Sequence, residues 1–240
     1  MSIYIIIVAA GSGNRFGAPL PKQFCKIDGR EVLMHTIANL RTACPDAQML
    51  LVLGADMLCP WAEMCKIARF TSPTTVVGGA TRFESVRNAL DALADRVCDN
   101  DIIMVHDGAR PVVHREMIDC LTHALAADDT ADGAIPAVPV TDSLRHGSAN
   151  LSDLPAKAGA GIDRAGIYAV QTPQAFRASK IIEAYRHPYS ASMTDDASVL
   201  ENKGMTNLLL SHGSHDNIKI TYPGDLEIAA MYLHHLQNEE

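Results

Sequence analysis

The 240-residue chain is long enough for one large α/β domain or two small ones, and 48% of its residues are hydrophobic, which allows a sizeable core. Its net charge of −8 argues against a protein that coats nucleic acid. Its six cysteines lack C-x-x-C spacing, no secretory leader is recognisable, and no apolar run reaches the ~18 residues that span a membrane. We therefore expect a cytoplasmic protein that binds neither nucleic acid nor a membrane.

The first predicted element is a strand over 3–8, because an apolar run without polar alternation is typical of a strand buried on both faces of a parallel sheet. Pro136 and Pro139 indicate that a later strand lies partly at a sheet edge. The other predicted strands are 48–53, 74–77, 101–105, 133–140, 167–171, 208–210 and 217–220. The predicted helices are 31–41, 56–68, 81–93, 117–127, 177–185, 195–202 and 224–236. This alternation predicts a Rossmann-like α/β fold with a doubly wound, mostly parallel sheet in a single domain, 1–240.

The segment after the first strand has the features of a phosphate-binding loop. The small residues at 9–13 let backbone N–H groups approach an anion, and Arg15 and Lys22 add two cations. It is not a dinucleotide fingerprint, since Phe16 stands where the third glycine belongs. It is not a P-loop either, since Lys22 follows Pro21 rather than a glycine. We expect an irregular loop that wraps around its ligand.

Two further strand ends carry candidate site residues. Glycines at 78–79 open a predicted helix that holds Ser85 in its first turn. Asp107 and Arg110 follow the buried strand 101–105, where unpaired charges are costly. Ligands bind at the carboxyl ends of strands in doubly wound sheets, so these residues belong with the first loop.

The segment 141–164 does not resemble an ordinary connection. It holds few large apolar residues and is too long for a loop inside a compact domain. We expect it to form a lid, a disordered loop or an arm that reaches a partner.

Seven motifs, taken together and in this order, resemble a known family. They are AAGSGNRFG followed by PK, VGGATRFESV, VHDGARP, a Pro-Val-x-Asp-Ser strand end, IDRAGIYAVQTPQAF, TDDAS and DNIKIT. The chain is similar along nearly its whole length to the 2-C-methyl-D-erythritol 4-phosphate cytidylyltransferases of the non-mevalonate isoprenoid pathway. The resemblance implies a nucleotide-diphospho-sugar transferase type of fold with a protruding β-arm. It also implies cytidylyl transfer from CTP to 2-C-methyl-D-erythritol 4-phosphate, with Mg²⁺ as the divalent cation.

The resemblance also implies residue roles. Catalytic roles fall on Arg15, Lys22, Arg164 and Lys219. Contacts to CTP fall on Ala10, Gly11, Gly13, Gly79, Ala80, Ser85 and Asp107. Binding of the acceptor substrate falls on Asp107, Arg110, Ser143, Arg164, Thr172, Thr194 and Lys219, and Asp107 is also the candidate metal ligand. Ser143, Arg164 and Thr172 match residues that the family supplies from a neighbouring subunit, so the resemblance implies a homodimer in which 141–164 is a dimerisation arm and the active sites are shared.

Three alternatives stay open at this point. The nearest is a cytidylyltransferase for another polyol phosphate, notably ribitol 5-phosphate. A nicotinamide-dependent dehydrogenase would need the glycine spacing that the first loop lacks. A non-catalytic nucleotide sensor would not need the cations Arg15, Lys22 and Lys219.

Overall fold

The computed structural model describes residues 1–11, 16, 20–147 and 155–239. Within these ranges the strands are β1 (Ile3–Val8), β2 (Lys26–Ile27), β3 (Arg30–Glu31), β4 (Gln48–Leu53), β5 (Thr74–Val77), β6 (Ile102–Asp107), β7 (Gly133–Pro139), β8 (Leu144–Arg145), β9 (Gly161–Ile162), β10 (Tyr168–Val170), β11 (Gln174–Arg177) and β12 (Leu208–His212). The α-helices are α1 (Val32–Ala43), α2 (Leu58–Ala68), α3 (Arg82–Leu93), α4 (Arg115–Ala127), α5 (Ala178–Tyr185), α6 (Asp196–Asn202) and α7 (Asp225–Glu239). Short 3₁₀ helices cover Lys22–Phe24 and Ala55–Met57.

The main sheet has eight strands in the described part of the chain, in the order β10-β7-β11-β6-β1-β4-β5, with β12 also paired to β7. The strands β6, β1, β4 and β5 are parallel, whereas β11 is antiparallel to both β6 and β7. The chain leaves β1 for β4 on one side and later returns to β6 on the other, so the strand order reverses at β1. This arrangement confirms the predicted α/β fold with a mostly parallel, doubly wound sheet.

Strand β1 is buried on both faces, as its unbroken apolar run predicts. Ile5 and Ile7 pack into a core cluster with α1 and Trp61, while Tyr4 and Ile6 pack into a second cluster with α3 and α5. Burial of each such side chain stabilises the fold by roughly 1.5–3 kcal/mol. Trp61 is a packing residue, and its ring lies 6.1 Å from that of Phe24.

Strand β7 corrects part of the edge prediction. Pro136 lies inside the sheet, between β12 on one side and the β10–β11 segment on the other, and its carbonyl accepts the Gln171 N–H at 2.8 Å. Proline is tolerated here because its carbonyl still pairs although it has no N–H to donate. Pro139 lies beyond the end of β12 and pairs with Tyr168 of β10, so the edge prediction holds for Pro139 and was wrong for Pro136.

Two other sequence predictions need correction. Residues 217–220 form no strand, although the Ile220 N–H donates to the Ala109 carbonyl at 2.9 Å. Strand β11 was not predicted, because its four residues carry polar side chains at both ends. The predicted helices are all present, and α3 begins one residue late because Thr81 is its N-cap in a capping box with Glu84.

Within the described ranges, no helix combines the length and the apolar composition that a membrane crossing requires. All six cysteines lie in these ranges and are free thiols.

Candidate active site

Three chain segments meet at the carboxyl ends of β1, β5 and β6. The Gly108 N–H donates to the Val8 carbonyl at 2.9 Å, and the Gly78 N–H donates to the Leu53 carbonyl at 2.8 Å. A Cβ atom on Gly108 would lie 2.9 Å from the Cβ of Ala9, so a larger residue would force these segments apart. The small residues of the three strand ends therefore allow these segments to pack closely beside the reversal of strand order.

The segment after β5 brings together several residues that the resemblance assigns to CTP. A Cβ atom on Gly78 would lie 2.6 Å from the Cβ of Ala10 and 2.9 Å from Oγ of Ser85. The buried Ser85 hydroxyl accepts the Gly79 N–H at 3.1 Å and donates to the Thr81 carbonyl at 2.9 Å. Ser85 thus orders the Gly78–Thr81 turn from below. Ala80 is exposed at this turn, and Gly11 is exposed after β1.

The loop after β1 is held by a residue that was not among the predicted site residues. Gln23 is buried, and its Nε2 donates to the carbonyls of Ala9 at 2.8 Å and Gly11 at 2.9 Å. Lys22 precedes it at the start of a 3₁₀ helix and is half-buried. The sequence offered one sign of this role, because Gln23 is a polar residue directly after the Pro21-Lys22 pair. Gly13 and Arg15, predicted for CTP binding and catalysis, lie outside the described residues.

Asp107 is the centre of a cluster of charged side chains. Its Oδ2 lies 2.8 Å from Nζ of Lys219 and 3.4 Å from Nε of Arg110. Its Oδ1 lies 3.6 Å from Nε of Arg82. The structure therefore joins the predicted residues Asp107, Arg110 and Lys219, and it adds Arg82.

The electrostatics of this cluster follow from its burial and its charges. Burial alone would raise the pKa of Asp107, but the charges of Arg82, Lys219 and Arg110 outweigh it and hold that pKa well below its usual value. Asp107 is therefore ionised at neutral pH, and three cations face one carboxylate. Such a cluster can attract a further anion, for example a phosphate group.

A neutral histidine supports the backbone at this point. Burial lowers the pKa of His106 to about 4. Its Nε2 lies 3.0 Å from the Arg110 carbonyl, which can only accept, so Nε2 carries the proton and Nδ1 accepts the Thr172 hydroxyl at 3.2 Å. The Thr172 hydroxyl in turn accepts the Asp107 N–H at 3.0 Å. Thr172 thus lies beside Asp107 of its own chain, which corrects the expectation that it comes from a neighbouring subunit's arm.

The loop that carries Lys219 is fixed to the same cluster. Nη1 of Arg110 donates to the Asn217 carbonyl at 2.7 Å. Asn217 is fully buried, and its Nδ2 donates to the Thr172 carbonyl at 2.8 Å. These bonds hold Lys219 at its place although residues 217–220 belong to no strand.

Two side chains of this cluster, Arg82 and Asp196, were not among the predicted site residues. Nη1 and Nη2 of Arg82 donate to the two carboxylate oxygens of Asp196 at 2.9 and 2.7 Å. Thr194 is exposed nearby and lines a cavity of about 50 Å³ together with Arg82. Arg82 lies within the VGGATRFESV motif and Asp196 within TDDAS, so both motifs were recognised, but their contact spans 114 positions in the chain.

The remaining two predicted residues lie apart from this cluster. Ser143 and Arg164 are exposed near the two ends of the segment 141–164, and Arg164 donates to the Thr141 carbonyl. β8 and β9 pair within this segment. Among the described residues, no hydrogen bond or ion pair joins Ser143 or Arg164 to Asp107.

Comparison with known proteins matches the chain to one family. A family model described as 2-C-methyl-D-erythritol 4-phosphate cytidylyltransferase matches residues 3–235. The chain belongs to this family. A protein of that name from Cereibacter sphaeroides is 42% identical over 234 residues, which cover 97% of each chain. One from Dechloromonas aromatica is 41% identical over 233 residues and 96% of each chain. The crystal structure of the Francisella tularensis protein of that name aligns with a TM-score of 0.76 and 29% identity, over 97% of this chain and all of the other.

Membership of the cytidylyltransferase family raises the question of a metal site. Within the described residues, no group of three or more His, Cys, Asp or Glu side chains is placed to hold a metal ion. Asp107 does not fit the predicted role of a metal ligand, because its carboxylate already faces Nζ of Lys219 at 2.8 Å and two guanidinium groups, and these charges would repel a divalent cation. The charges around Asp107 favour an anion rather than a cation.

Proposed function

We propose that the Asp107 cluster and the strand ends beside it form the active site for the reaction of this family. That reaction transfers the cytidylyl group of CTP to 2-C-methyl-D-erythritol 4-phosphate and releases pyrophosphate, giving 4-diphosphocytidyl-2-C-methyl-D-erythritol for isoprenoid precursor biosynthesis. The observation that carries the proposal is the position of Lys219. Its Nζ lies 2.8 Å from Oδ2 of Asp107, at the carboxyl end of a central parallel strand. Lys219 belongs to the DNIKIT motif, which matches the family's lysine for the acceptor phosphate.

The chemistry asks the protein for position and positive charge. The phosphate monoester of the acceptor is already an anionic nucleophile, so its oxygen can attack the α-phosphate of CTP in line with the departing pyrophosphate. Alignment of two bound substrates can lower the barrier by roughly 7–11 kcal/mol. Each donor aimed at charge that develops in the transition state can add about 3–4 kcal/mol.

The proposed roles divide the site into two sides. The turn at Gly78–Thr81 and the loop at Ala10–Gly11 face CTP, and Lys22 and Arg15 stabilise the charge that develops at the α-phosphate. Lys219 and Arg110 hold the acceptor's phosphate, with Thr194 and Thr172 beside them. The contacts of Ser85 and Gln23 support the CTP side, because they fix both small-residue segments.

We further propose that Mg²⁺ enters on the phosphates of CTP. An ion held mainly by phosphate oxygens and waters needs few protein ligands. When bound, it would neutralise phosphate charge during the transfer. The residues described above bind and orient the substrates around it.

A homodimer with shared active sites completes the proposal. Ser143 and Arg164 lie apart from Asp107 in their own chain, which suits delivery to the site of a second copy. The exposed apolar side chains of Tyr168, Val170 and Leu210 lie on β10 and β12, which both pair with β7. They offer a surface that a second copy could cover. Six free thiols support a cytoplasmic location.

The test is pyrophosphate release from CTP and Mg²⁺, with 2-C-methyl-D-erythritol 4-phosphate or ribitol 5-phosphate as acceptor. We expect release with the first acceptor and a fall of about 100-fold or more in kcat/KM for Lys22→Ala and Lys219→Ala. Lys26→Ala is the matched control. Lys26 is exposed, and its Nζ lies 3.5 Å from the carboxylate of Glu31 in the small β2–β3 sheet rather than at the strand ends of the site. Release with ribitol 5-phosphate alone would mean that the acceptor is ribitol 5-phosphate, while the site and the type of reaction stay as proposed. Release with neither acceptor would refute the proposal.

A further inference from the structure

Arg82 lies between two carboxylates, one of which belongs to the proposed active site. Its guanidinium nitrogens Nη1 and Nη2 bind Asp196, while Nε faces Oδ1 of Asp107 at 3.6 Å. We propose that Arg82 is a positioning residue that fixes the orientation of Asp107 and thereby controls how Lys219 presents its charge to the acceptor's phosphate. The proposal rests on the function proposed above and adds a residue that has no role there.

The support behind Arg82 is rigid. Asp196 is fully buried at the start of α6, and its Oδ1 also accepts the Tyr185 hydroxyl at 2.6 Å. The α6 N-cap residue, Asp195, is held by Ser198 in a capping box and accepts Nε2 of Gln174 from β11 at 2.8 Å. Asp196 therefore cannot follow Arg82 if the guanidinium moves.

The backbone of Arg82 is equally constrained. It is the first residue of α3, directly after the Thr81 N-cap, whose side chain accepts the Glu84 N–H at 3.1 Å. A guanidinium is planar and presents donors on two sides, so it can bind one carboxylate through two nitrogens while its third nitrogen faces another. A lysine ammonium at this place could not serve both carboxylates in this way.

The consequence for Lys219 follows from how the two oxygens of Asp107 are used. Oδ1 faces Arg82, and Oδ2 faces Lys219 and Arg110. Three cations and the two carboxylates of Asp107 and Asp196 leave one positive charge in the cluster, which is available to a substrate anion. Without Arg82, Asp107 would be free to turn both oxygens toward Lys219, and the acceptor's phosphate would have to compete with it.

The test separates this role from simple charge balance. Arg82→Met leaves Asp196 buried without a partner and should destabilise the protein, whereas Arg82→Met/Asp196→Asn removes both charges and should recover most of the melting temperature. We expect the double variant to keep an increase of about tenfold in KM for 2-C-methyl-D-erythritol 4-phosphate, with KM for CTP changed less than about twofold. Arg82→Lys/Asp196→Asn leaves the ammonium only Asp107 to face, and it should bring the acceptor's KM back to within about threefold of wild type.

Tyr185→Phe is the matched control. It removes the hydroxyl that binds Asp196 but keeps both contacts of Arg82, so it should lower the melting temperature without raising the acceptor's KM. An equal rise of KM in Tyr185→Phe would mean that general loosening is the cause, and it would overturn the proposal. So would a double variant that recovers both stability and wild-type KM.

Arg82→Lys alone gives the answer if the double variant does not fold. It keeps a charge against Asp196, and we expect it to fold with a raised acceptor KM, so a wild-type KM in that variant would also refute the positioning role. Wild-type activity is measured first in every series. Failure of the proposed function would therefore appear as inactive wild-type protein, and failure of the positioning role as unchanged KM values.

Discussion

At the scale of single residues, Asp107 connects four segments of the chain. Its side chain faces Arg82, Arg110 and Lys219, and its N–H donates to Thr172. The sequence predicted part of this group, because Asp107 and Arg110 share a short motif at a strand end. The contact with Arg82 could not be predicted, since nothing in the spacing of residues 82, 107 and 196 shows that they meet.

Replacement of Asp107 by Asn tests whether it organises cations or binds metal. Loss of the charge leaves three cations facing one another, so we expect a fall of about 100-fold in kcat/KM and a loss of about 2–3 kcal/mol in stability. The Mg²⁺ concentration for half-maximal activity should change less than about twofold, because the function proposed above places the metal on the phosphates of CTP. Steady-state kinetics over a Mg²⁺ series measure both. Asp216→Asn, on the Lys219 loop, is the control, and a strong rise in the Mg²⁺ requirement of Asp107→Asn would restore its role as a metal ligand.

Buried His106 predicts a pH dependence of folding. Its pKa of about 4 lies below the ~6.5 of an unfolded histidine, so the unfolded state takes up a proton first as the pH falls. The stability that neutral His106 contributes is complete above pH ~6.5 and is lost as the pH falls toward 4.

Urea unfolding at pH 7.5 and 5.0 measures this loss. Between these values the wild type should lose about 2 kcal/mol more than His106→Gln, which carries no titrating ring. Equal losses in wild type and His106→Gln would contradict the prediction.

At the scale of secondary-structure elements, the sequence predicted the parallel half of the sheet well and the rest poorly. β1, β4 and β5 have the predicted bounds. β1 and β4 are apolar runs that are largely buried, which leaves a clear pattern, and β5 is a short β-branched run before two glycines. β11 was missed because it is short and polar at both ends, and residues 217–220 were misassigned because buried apolar residues also occur in well-anchored loops. A hydrophobic pattern indicates which residues are buried, but the burial of these two segments depends on the parts of the fold that pack against them.

The junction of β1, β5 and α3 depends on a glycine. A methyl group on Gly78 would lie 2.6 Å from the Cβ of Ala10, and neither backbone can move without disturbing a strand end. Gly78→Ala should therefore cost about 1–3 kcal/mol in stability and raise KM for CTP more than KM for the acceptor. Thermal unfolding and kinetics with each substrate varied measure the two effects. Gly224→Ala, where a Cβ atom meets nothing within 4 Å, should change neither, and equal effects of both substitutions would refute the explanation.

At the scale of the whole molecule, the cation cluster is built within one chain, whereas Ser143 and Arg164 lie apart from it. The sequence identified 141–164 as an unusual segment from its composition and length. That this segment contacts a second copy was inferred only from the resemblance. Composition shows that a segment cannot build a core, but it does not show what the segment binds.

Mixing two inactive variants tests shared active sites. Arg164→Ala and Lys22→Ala subunits, unfolded together and refolded as dimers, should form mixed dimers in which one site receives both intact residues. Random pairing then restores about one quarter of wild-type activity. Each variant refolded alone is the control, and absence of recovery in a mixture that contains mixed dimers would rule out shared sites.

The pairing of β12 with β7 has a consequence for how the protein is made. About 70 residues separate the end of β7 from the start of β12, although the two strands are neighbours in the sheet. At a synthesis rate of roughly 5–20 residues per second, β7 is exposed along one edge for several seconds before its partner emerges from the ribosome. An unpaired strand edge is a site of aggregation. The Gly213 N–H donates to the Ala137 carbonyl, so Ala137 and, two residues further on, Pro139 face this edge, and Pro139 offers it no N–H donor. Pro139 thus also protects this edge of the newly made chain.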